Sequence, residues 1–389
     1  MSGPAVLLCA TGFPRAVDDD HKPFLLDHAR ALVAAGCSVT VLCPSAPGLP
    51  AREQIGGIDV VRFRYAPRRA ETLAYDGAMY RRVAGLHGLL VPIFVVAFTL
   101  AAARLARQGR VDVVHGHWWA PTGLVAVAAA RVSGAASVVH LHGSDAAISR
   151  GPIARLAGWV LRRVDLVMAV SDELADWCRS VSGVTAVVAP MPLPAVHLPS
   201  VTADAPADGP VLAVGRLVPE KGFDVLVRAV GVTGQRLVLV GDGPEHRALK
   251  ALAVEVGADV ELVGPLPPAA VADLYRRARL VAVPSRREGF GMVAAEAAAH
   301  GRTVVGTRVG GIPSLVDHGE TGLLVDPDDV AGLAHALEAA DPSMGRQAAA
   351  GVASLHPEAH ARVLLAGYES ALRARADRAC RAGRRRRRP

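Results

Sequence analysis

Apolar and polar positions alternate in blocks along most of the chain. Short, nearly continuous apolar runs end in Gly, Pro or polar residues, and segments with apolar residues every three or four positions follow them. Continuous apolar runs are typical of parallel strands that helices cover on both faces. In the first half these runs predict strands at residues 6–9, 39–43, 60–63, 111–115, 137–141, 166–170 and 184–189. The alternation predicts a doubly wound α/β domain over residues 1–189.

A second domain of the same kind follows a segment in which the residue pattern changes. Residues 190–210 are rich in proline and have no apolar period, which is typical of a linker. The alternation restarts with predicted strands at residues 211–215, 237–241, 260–263, 280–284, 303–306 and 323–325. We therefore expect a second Rossmann-like domain over residues 211–356, a closing helix over 357–382 and a basic tail over 383–389. Ligands bind at the carboxyl ends of parallel strands, so we expect a cleft between the two domains.

Length supports this division into two domains, and the distribution of charge argues against a nucleic-acid-binding protein. At 389 residues the chain is too long for one typical core. The formal net charge is +7, but residues 373–389 hold nine Arg and one Asp, a charge of +8, which leaves 7 − 8 = −1 for the rest. The basic character therefore belongs to the tail, for which we expect a solvated end. Nucleic-acid or anionic-lipid binding by the tail is the alternative, and we predict no nucleic-acid partner.

Cysteine usage and the apolar start indicate a cytoplasmic protein. The five cysteines form no close pair and have no zinc-binding spacing, and Cys9 and Cys43 fall in predicted buried strands. We expect reduced thiols. The apolar residues 5–10 are too few, and lack the basic lead-in, for a signal peptide.

The most hydrophobic run, residues 89–103, is interrupted by Pro92 and is shorter than a membrane-spanning helix. We expect a core or interface helix. The alternative is a surface patch in peripheral contact with an anionic membrane, at the inner face of the cytoplasmic membrane. Basic residues that would support that contact flank the run, namely Arg81, Arg82, Arg104 and Arg107.

An apolar run, a glycine-rich turn and an alanine-rich segment follow one another over residues 280–299. This pattern predicts a strand, a turn that carries Glu288 and a helix that carries Glu296. The first amides of a helix lack intrahelical partners and suit a phosphate, and Gly289 and Gly291 let the backbone approach a ligand. The two carboxylates could accept hydroxyl protons from a sugar or a ribose. The alternative is an ordinary strand-turn-helix with two solvated glutamates.

Two turns precede this one in the second domain. Arg216 and Lys221 lie five residues apart after the first strand of that domain, where fixed cations would stabilise the charge of a diphosphate leaving group. A solvated loop is the alternative. The turn at residues 241–245 lacks the third glycine of a dinucleotide fingerprint, so we do not expect a nicotinamide cofactor. It instead fits the nucleotide side of a cleft.

The order of these motifs resembles the retaining glycosyltransferases of family 4. The set comprises Gly-Arg-x4-Lys-Gly at 215–222, Gly-Asp-Gly-Pro-Glu at 241–245, Pro-Ser-x2-Glu-Gly-Phe-Gly at 284–291, Gly-Gly-Ile-Pro at 310–313 and Gly-x2-Gly-Leu-Leu-Val at 319–325. The resemblance covers nearly the whole second domain. It implies the α/β GT-B fold, with two Rossmann-like domains that face a central cleft. It also implies metal-independent, cofactor-free transfer of a sugar from a nucleotide-diphosphate sugar to a hydroxyl acceptor (envelope lipid, polysaccharide or natural product).

The resemblance also implies roles for individual residues. Arg216 and Lys221 would hold the diphosphate, Glu288 the donor sugar and Glu296 the ribose. The implied catalytic residues are His142, Arg216, Lys221 and Glu288. The implied donor-binding residues are Gly215, Arg216, Lys221, Gly243, Glu288, Gly289, Phe290, Gly291, Met292, Val293 and Glu296.

The first domain matches the family more loosely. His142-Gly143 resembles the family's histidine beside the reacting sugar, with a buried histidine at a capped strand end as the alternative. In the opening loop, residues 12–20, three Asp residues replace a Gly-Gly pair of many family members, which leaves the acceptor class open. The Asp run mimics a metal motif of a different glycosyltransferase fold, and we expect no metal there. The predicted acceptor-binding residues are Phe13, Asp19, Asp20, His117 and Trp118, although His117 and Trp118 are equally compatible with a core.

The resemblance also implies a front-face displacement, in which the leaving phosphate helps to deprotonate the acceptor hydroxyl, and the lack of an evident nucleophile fits that mechanism. Two rival functions remain open on the same fold. These are a sugar-nucleotide epimerase and a non-catalytic nucleotide-sugar-binding protein. The sequence does not specify the nucleotide base, the donor sugar, the acceptor, the linkage or the oligomeric state.

Overall fold

A computed structural model describes residues 3–19, 21–71, 73–75, 90–198 and 205–386, without the side chains of residues 379 and 381–386. The chain divides into two compact units. Unit 1 comprises Met1–Pro192 and Pro357–Pro389, and unit 2 comprises Leu193–His356. The C-terminal segment therefore returns to the unit that contains the N-terminus.

Unit 1 is built on an eight-stranded sheet of order β3-β4-β2-β1-β5-β6-β7-β8. The strands are β1 (Ala5–Cys9), β2 (Ser38–Pro44), β3 (Arg52–Ile55), β4 (Ile58–Phe63), β5 (Val113–His117), β6 (Ala136–Leu141), β7 (Leu166–Ala169) and β8 (Val187–Val188). Neighbouring strands are parallel except for β3, which pairs antiparallel with β4 at the sheet edge. The sequence analysis missed β3 because its residues are mostly polar, and it predicted a longer β8 than the two residues observed.

Helices cover both faces of this sheet. They are α1 (Pro23–Ala34), α2 (Leu90–Gln108), α3 (Leu124–Ser133), α4 (Gly143–Ile148), α5 (Pro152–Leu161), α6 (Asp172–Ser182) and α13 (Pro357–Arg386). Successive residues of β1 point to opposite faces. Val6 and Leu8 pack in a cluster that includes Leu32 of α1 and Leu364 of α13. Leu7 packs in a second cluster with residues of α2 and α3.

The C-terminal helix α13 is longer than the predicted 357–382 and continues to Arg386. Its start packs into the unit 1 core, where Leu364 and Tyr368 are fully buried. Arg375 donates a hydrogen bond to the Ala130 carbonyl at 3.0 Å, and Arg378 forms an ion pair with Asp165. These contacts fix the helix to unit 1, and the predicted tail at 383–389 is helical as far as residue 386. Its last three residues lie outside the described residues.

Unit 2 has a six-stranded parallel sheet of order β11-β10-β9-β12-β13-β14. Its strands are β9 (Val211–Val214), β10 (Leu237–Val240), β11 (Val260–Gly264), β12 (Leu280–Val283), β13 (Thr303–Thr307) and β14 (Gly322–Val325). Its helices are α7 (Phe223–Thr233), α8 (His246–Glu255), α9 (Pro268–Arg277), α10 (Met292–Ala299), α11 (Val330–Ala339) and α12 (Met344–Gly351). All six predicted strands are present.

Part of the predicted linker, residues 190–210, is packed rather than extended. Met191, Leu193 and His197 are buried, at 3% or less exposed. These side chains are apolar or uncharged, and His197 lies against Tyr275 with ring centroids 5.5 Å apart. The proline content obscured this packing in the sequence. Residues 199–204 lie outside the described residues.

Helix α2 departs from the sequence prediction. It spans 19 residues and is long and apolar enough, by length and composition alone, to cross a membrane. Pro92 lies in the first turn, where a proline is tolerated, so it does not interrupt the helix. One face carries Phe94 and Phe98 into the unit 1 core, but only 22% of the apolar window is buried. An apolar face is therefore left exposed.

Each sheet has one point at which the chain reverses its direction of strand addition. In unit 1 this switch lies between β1 and β5, and in unit 2 it lies between β9 and β12. Open α/β sheets bind ligands beyond the carboxyl ends of the strands at such a point, because the two loops diverge there and leave a crevice. The motifs at residues 215–222 and 284–291 follow the two switch strands of unit 2. The opening loop and His117 are at the corresponding place in unit 1.

Candidate functional site

The two switch loops of unit 2 are joined by an ion pair. The ammonium Nζ of Lys221 lies 2.6 Å from Oε2 of Glu288. Both side chains are partly exposed, at 26% and 15%. The same carboxylate also accepts a hydrogen bond from the Ser285 hydroxyl at 3.2 Å and one from the Gly289 amide at 3.3 Å. Glu288 is therefore held in one orientation at the mouth of the crevice.

Arg286 fixes the turn that carries Glu288, and sequence reasoning did not assign it a role. Its guanidinium makes a bidentate pair with Asp224 of α7, at 2.8 and 2.7 Å, and contacts Asp328 at 2.6 Å. It also donates to the carbonyl of Pro219 at 2.7 Å. Hydrogen bonds from Arg286 lower the pKa of Asp224. The sequence shows only an arginine in the turn before Glu288. It does not reveal the role of Arg286, because the partners of its guanidinium come from distant segments.

Glycines bring the loops of unit 2 into contact. Gly222 has φ +64, and a Cβ there would lie 2.1 Å from the carbonyl oxygen of Pro284. The turn at residues 241–245 packs on the Arg216 loop, since the Leu217 amide donates to the Asp242 carbonyl at 2.9 Å. A Cβ at Gly243 would lie 2.4 Å from the carbonyl oxygen of Leu217. The predicted donor residues from three separate motifs therefore converge at one end of the sheet.

The N-terminus of α10 faces the same end of the sheet. Gly291 precedes the helix with φ +99, a conformation that favours glycine. Met292 and Val293 are partly buried, and their amides belong to the first turn, which lacks intrahelical acceptors. Phe290 is only 6% exposed, so its side chain is packed inside the unit and only its backbone remains for a ligand. Arg216 is exposed.

Glu296 belongs to a polar network that the sequence did not reveal. The Tyr275 hydroxyl donates to its Oε2 at 2.8 Å, and Nε2 of His197 lies 3.9 Å from its Oε1. His197 in turn contacts His300 across 3.1 Å between ring nitrogens. Burial lowers the pKa of both histidines to about 4, so both rings are neutral near pH 7. Glu296 is thus held by its surroundings and is not a solvated surface residue.

Two predicted site residues of unit 1, His117 and Trp118, lie against His142, which directly follows β6. Nε2 of His142 lies 3.0 Å from Nδ1 of His117, and its ring centroid lies 4.7 Å from that of Trp118. The Lys22 ammonium lies 4.5 Å from the Trp118 ring centroid. Burial lowers the pKa of His142 well below its ordinary value, which makes it a neutral imidazole. Lys22 was missed because nothing in the sequence distinguishes it from a surface lysine.

Asp145 holds the strand ends around His142 together. Its carboxylate accepts hydrogen bonds from the amides of Trp119 at 2.8 Å and His142 at 2.6 Å. The side chain is fully buried, and this desolvation raises its pKa to about 7 against the opposing effect of the two amides. Asp145 is therefore a positioning residue for the backbone on either side of His142.

Two predicted acceptor residues of the opening loop, Phe13 and Asp19, are packed or paired in the structure. Phe13 is 1% exposed and belongs to the unit 1 core. Asp19 makes a bidentate pair with Arg15, with contacts of 2.7 and 3.0 Å, and also accepts from the His21 amide at 3.1 Å. Its carboxylate is thereby occupied and its charge balanced. Asp20 lies outside the described residues. His117 is likewise 1% exposed, and its ring is buried in contact with His142.

Comparison with known families decides the identity. Residues 24–192 match the profile of Glycosyltransferase Family 4, and residues 209–340 match that of Glycosyl transferases group 1. The chain belongs to glycosyltransferase family 4. This confirms the resemblance read from the ordered motifs, and it covers unit 1, where the sequence resemblance was loose.

Relatives of this family-4 glycosyltransferase extend over most of its length. It is 35% identical to the D-inositol 3-phosphate glycosyltransferase of Acidothermus cellulolyticus, over 72% of this chain and 73% of that one. It is 31% identical to the protein of the same name from Kribbella flavida, over 90% of each chain. Both sequence identities extend over at least 72% of this chain, so the similarity to named glycosyltransferases is not confined to one domain.

Solved structures confirm the fold class. The sucrose-phosphate synthase of Thermosynechococcus elongatus superposes with a TM-score of 0.79 at 26% identity, over 96% of this chain and 100% of that one. Anabaena HepE, in complex with UDP and glucose, superposes with a TM-score of 0.70 at 20% identity, over 94% and 99% of the two chains. The family-4 glycosyltransferase therefore has the predicted GT-B fold, with two Rossmann-like parallel-sheet domains.

Replacement of Arg286 tests its role in holding the site. Arg286→Lys keeps the charge but loses the bidentate pair with Asp224. We expect local stability around residues 284–291 to fall by about 1–3 kcal/mol. Hydrogen exchange followed by mass spectrometry should show faster exchange in that segment.

The adjacent arginine is a matched control. Arg287 pairs with Glu220, and both side chains are about half exposed, at 56% and 47%. An exposed pair of this kind contributes about 0–1 kcal/mol, so Arg287→Lys should leave exchange nearly unchanged. Equal protection in the two variants would contradict a positioning role for Arg286.

Proposed function

We propose that this family-4 glycosyltransferase transfers a sugar, with retention of anomeric configuration, from a nucleotide-diphosphate sugar to a hydroxyl acceptor. The observation that carries the proposal is the Lys221–Glu288 pair beside the first turn of α10. It puts a cation, an oriented carboxylate and free helix amides at one end of the unit 2 sheet. A nucleotide-diphosphate sugar carries the complementary groups, which are phosphates and hydroxyls.

Cationic groups suit the diphosphate of the donor. An ammonium has three N–H donors, and the Glu288 contact uses one, so Lys221 retains two for phosphate oxygens. Arg216 is exposed on the loop packed against the 241–245 turn. As the bond to the sugar breaks, negative charge grows on the diphosphate. Fixed cations and helix amides stabilise the transition state more than the ground state for that reason.

The two glutamates suit the hydroxyls of the donor. Glu288 is an oriented carboxylate that can accept hydrogen bonds from the donor sugar. Glu296 is one turn inside α10 and is held by Tyr275, which leaves it aligned for a vicinal diol such as ribose. The complexes of HepE with UDP and glucose are in keeping with a nucleotide donor.

Features of unit 1 support an acceptor that combines hydroxyls with an anionic group. His142 is neutral, so it can accept a hydrogen bond from a hydroxyl or donate one to it. Lys22 is a cation close to Trp118, and Arg15 balances the charge of Asp19, one of the three Asp residues of the opening loop. The relatives' name, D-inositol 3-phosphate glycosyltransferase, makes a cyclitol phosphate the first acceptor to assay.

The proposed chemistry is a front-face displacement. The C–O bond between sugar and diphosphate breaks, the acceptor oxygen bonds to the same face of the anomeric carbon, and the hydroxyl proton passes to the leaving phosphate. No metal or further cofactor takes part in this step. His142, Arg216, Lys221 and Glu288 are the proposed catalytic residues.

The proposed location is the cytoplasm, at an anionic membrane face. Five cysteines without a disulfide support a reducing compartment. Helix α2 exposes an apolar stripe, with Ile93 50%, Val96 57% and Leu100 67% exposed. Because these positions recur every three or four residues, the stripe continues along one helix face to Arg104 and Arg107. Apolar insertion next to basic residues favours anionic lipid. Arg81 and Arg82 lie outside the described residues.

Sugar transfer can be tested by following product formation in the wild type and in Lys221→Ala. We expect an α-linked product from an α-linked donor by NMR. Loss of a transition-state charge stabiliser should lower kcat by roughly 100-fold or more. Assays should pair UDP-, GDP-, dTDP- and ADP-sugars with inositol phosphate and with unphosphorylated inositol.

Lys250→Ala is the control, since Lys250 is an exposed lysine of α8 and the variant makes the same charge change. It should keep wild-type turnover. An inverted product would contradict retention, and normal turnover in Lys221→Ala would contradict the role of Lys221. An epimerised nucleotide sugar in the absence of acceptor would favour the epimerase alternative.

Membrane contact can be tested with vesicles of phosphatidylcholine and phosphatidylglycerol. Leu100→Glu puts a charge on the exposed stripe. The affinity for vesicles, measured by sedimentation, should therefore fall at least about tenfold. Val254→Glu is the control, because Val254 is 81% exposed on α8 of unit 2. Equal sedimentation of both variants and the wild type would contradict a role for the stripe.

A further inference from the structure

Unit 1 contains an unusual concentration of buried histidines. Six lie close together on β5, β6, α1, α13 and the end of β6, and all are at most 8% exposed: His28, His115, His117, His140, His142 and His360. Only His142 takes part in the proposed sugar transfer. Five imidazoles packed behind it are costly unless their polar nitrogens find partners.

Three of these imidazoles converge. One ring nitrogen from each of His28, His115 and His117 lies within 4.8 Å of those of the other two. All three rings are at most 1% exposed. The Nε2 atoms of all three are buried and have no hydrogen-bond partner among the residues that the structure describes. Each of the three converging rings therefore carries one buried nitrogen without a partner among the described residues.

The other nitrogen of each ring has a partner. Nδ1 of His28 lies 2.9 Å from Nε2 of His360, and Nδ1 of His115 lies 2.7 Å from the Tyr368 hydroxyl. Nδ1 of His117 lies 3.0 Å from Nε2 of His142. Each partner can accept a hydrogen bond, so each Nδ1 can carry the N–H and donate it. In that tautomer all three Nε2 atoms are acceptors with free lone pairs.

This pattern is the one that metal-binding histidines have. A ligating histidine presents one nitrogen to the ion and donates the N–H of the other to a protein group that fixes the ring. Three neutral imidazole ligands suit zinc and its neighbours among the divalent transition metals.

We propose that unit 1 holds a buried divalent transition-metal ion, of the Zn²⁺ class, on Nε2 of His28, His115 and His117. Zinc–nitrogen bonds of about 2.0–2.1 Å put tetrahedral ligand atoms roughly 3.4 Å apart. Rotation of the rings would therefore close the longest separation by about 1.4 Å. The ion joins α1 to β5, while His360 and Tyr368 bring in α13. It is structural and takes no part in the transfer step.

His140 supplies a fourth candidate ligand. Its Nε2 lies 2.7 Å from the Ala189 carbonyl oxygen, which can only accept, so this nitrogen carries the proton. The lone pair is then on Nδ1, which is buried without a partner among the described residues. The ring centroid lies 5.7 Å from those of His115 and His117. The sequence expectation of no metal considered the cysteine spacing and the Asp run in the opening loop, whereas these histidine ligands come from three separate segments.

A stack of neutral imidazoles without an ion is the competing explanation. His115 and His117 are nearly parallel, with an interplanar angle of 14° and centroids 4.8 Å apart, as in an aromatic core. Such a stack leaves the buried Nε2 atoms unpartnered, and the ion accounts for all three at once. The two explanations differ in whether the purified protein binds metal at one saturable internal site.

The test uses the full-length protein, freed of metal by dialysis against EDTA. After Zn²⁺ is added back, native mass spectrometry should show one Zn²⁺ per chain. Addition of Co²⁺ should give the visible d–d absorption of a four-coordinate site, which Zn²⁺ abolishes. His28→Gln and His115→Gln should lower Zn²⁺ affinity by at least about 100-fold. Tyr368→Phe keeps the volume of the side chain but removes the partner of His115, so it should lower the affinity about 10–100-fold.

His335→Gln is the control, because His335 is an exposed histidine of α11 in unit 2. It should bind Co²⁺ as the wild type does. The proposal is overturned if the wild type shows no such absorption. It is also overturned if Tyr368→Phe and the folded ligand variants bind Zn²⁺ as tightly as the wild type does. The same holds if His335→Gln loses as much Zn²⁺ affinity as the ligand variants. Wild type and Tyr368→Phe decide the matter even if a ligand variant fails to fold.

Discussion

The structure depends on one topological constraint, which is the reversal of strand order in each parallel sheet. At the switch between β9 and β12, loops from residues 215–222 and 284–291 leave the sheet side by side. They lie 67 residues apart in the chain at the Lys221–Glu288 pair, which joins them at 2.6 Å. Short parallel strands with polar ends were therefore sufficient to assemble a site from segments distant in sequence.

Hydrogen bonds hold each chemical group of the site in place. Arg286 anchors the Glu288 turn to α7, Tyr275 holds Glu296 inside α10, and Asp145 ties the backbone of His142 to that of Trp119. Charges placed this way need little reorganisation when negative charge develops on a leaving diphosphate. The same need for satisfied polar groups makes the buried histidines of unit 1 conspicuous, because Nε2 of His28, His115 and His117 and Nδ1 of His140 lack partners among the described residues.

The sequence predicted the parts of the protein that depend on local pattern. Continuous apolar runs located both sheets, and the ordered glycine and charge motifs of unit 2 identified the family and the donor loops. It failed where a role depends on contacts that the residue pattern does not show. Polar β3 pairs with β4 at the sheet edge, Arg15 pairs with Asp19 four residues on, and Phe13 is buried in the unit 1 core. Arg286, Tyr275 and Lys22 were missed because their roles come from partners that local spacing does not reveal.

Calorimetric titration of UDP, GDP, dTDP and ADP into the wild type and Glu296→Ala tests the central claim most directly, namely that unit 2 binds the nucleotide of the donor. One nucleotide should bind much more tightly than the others. Loss of buried ribose hydrogen bonds in Glu296→Ala should then weaken it by ~1–3 kcal/mol. Absence of binding for all four nucleotides, or equal affinity in the variant, would contradict the assignment of this site.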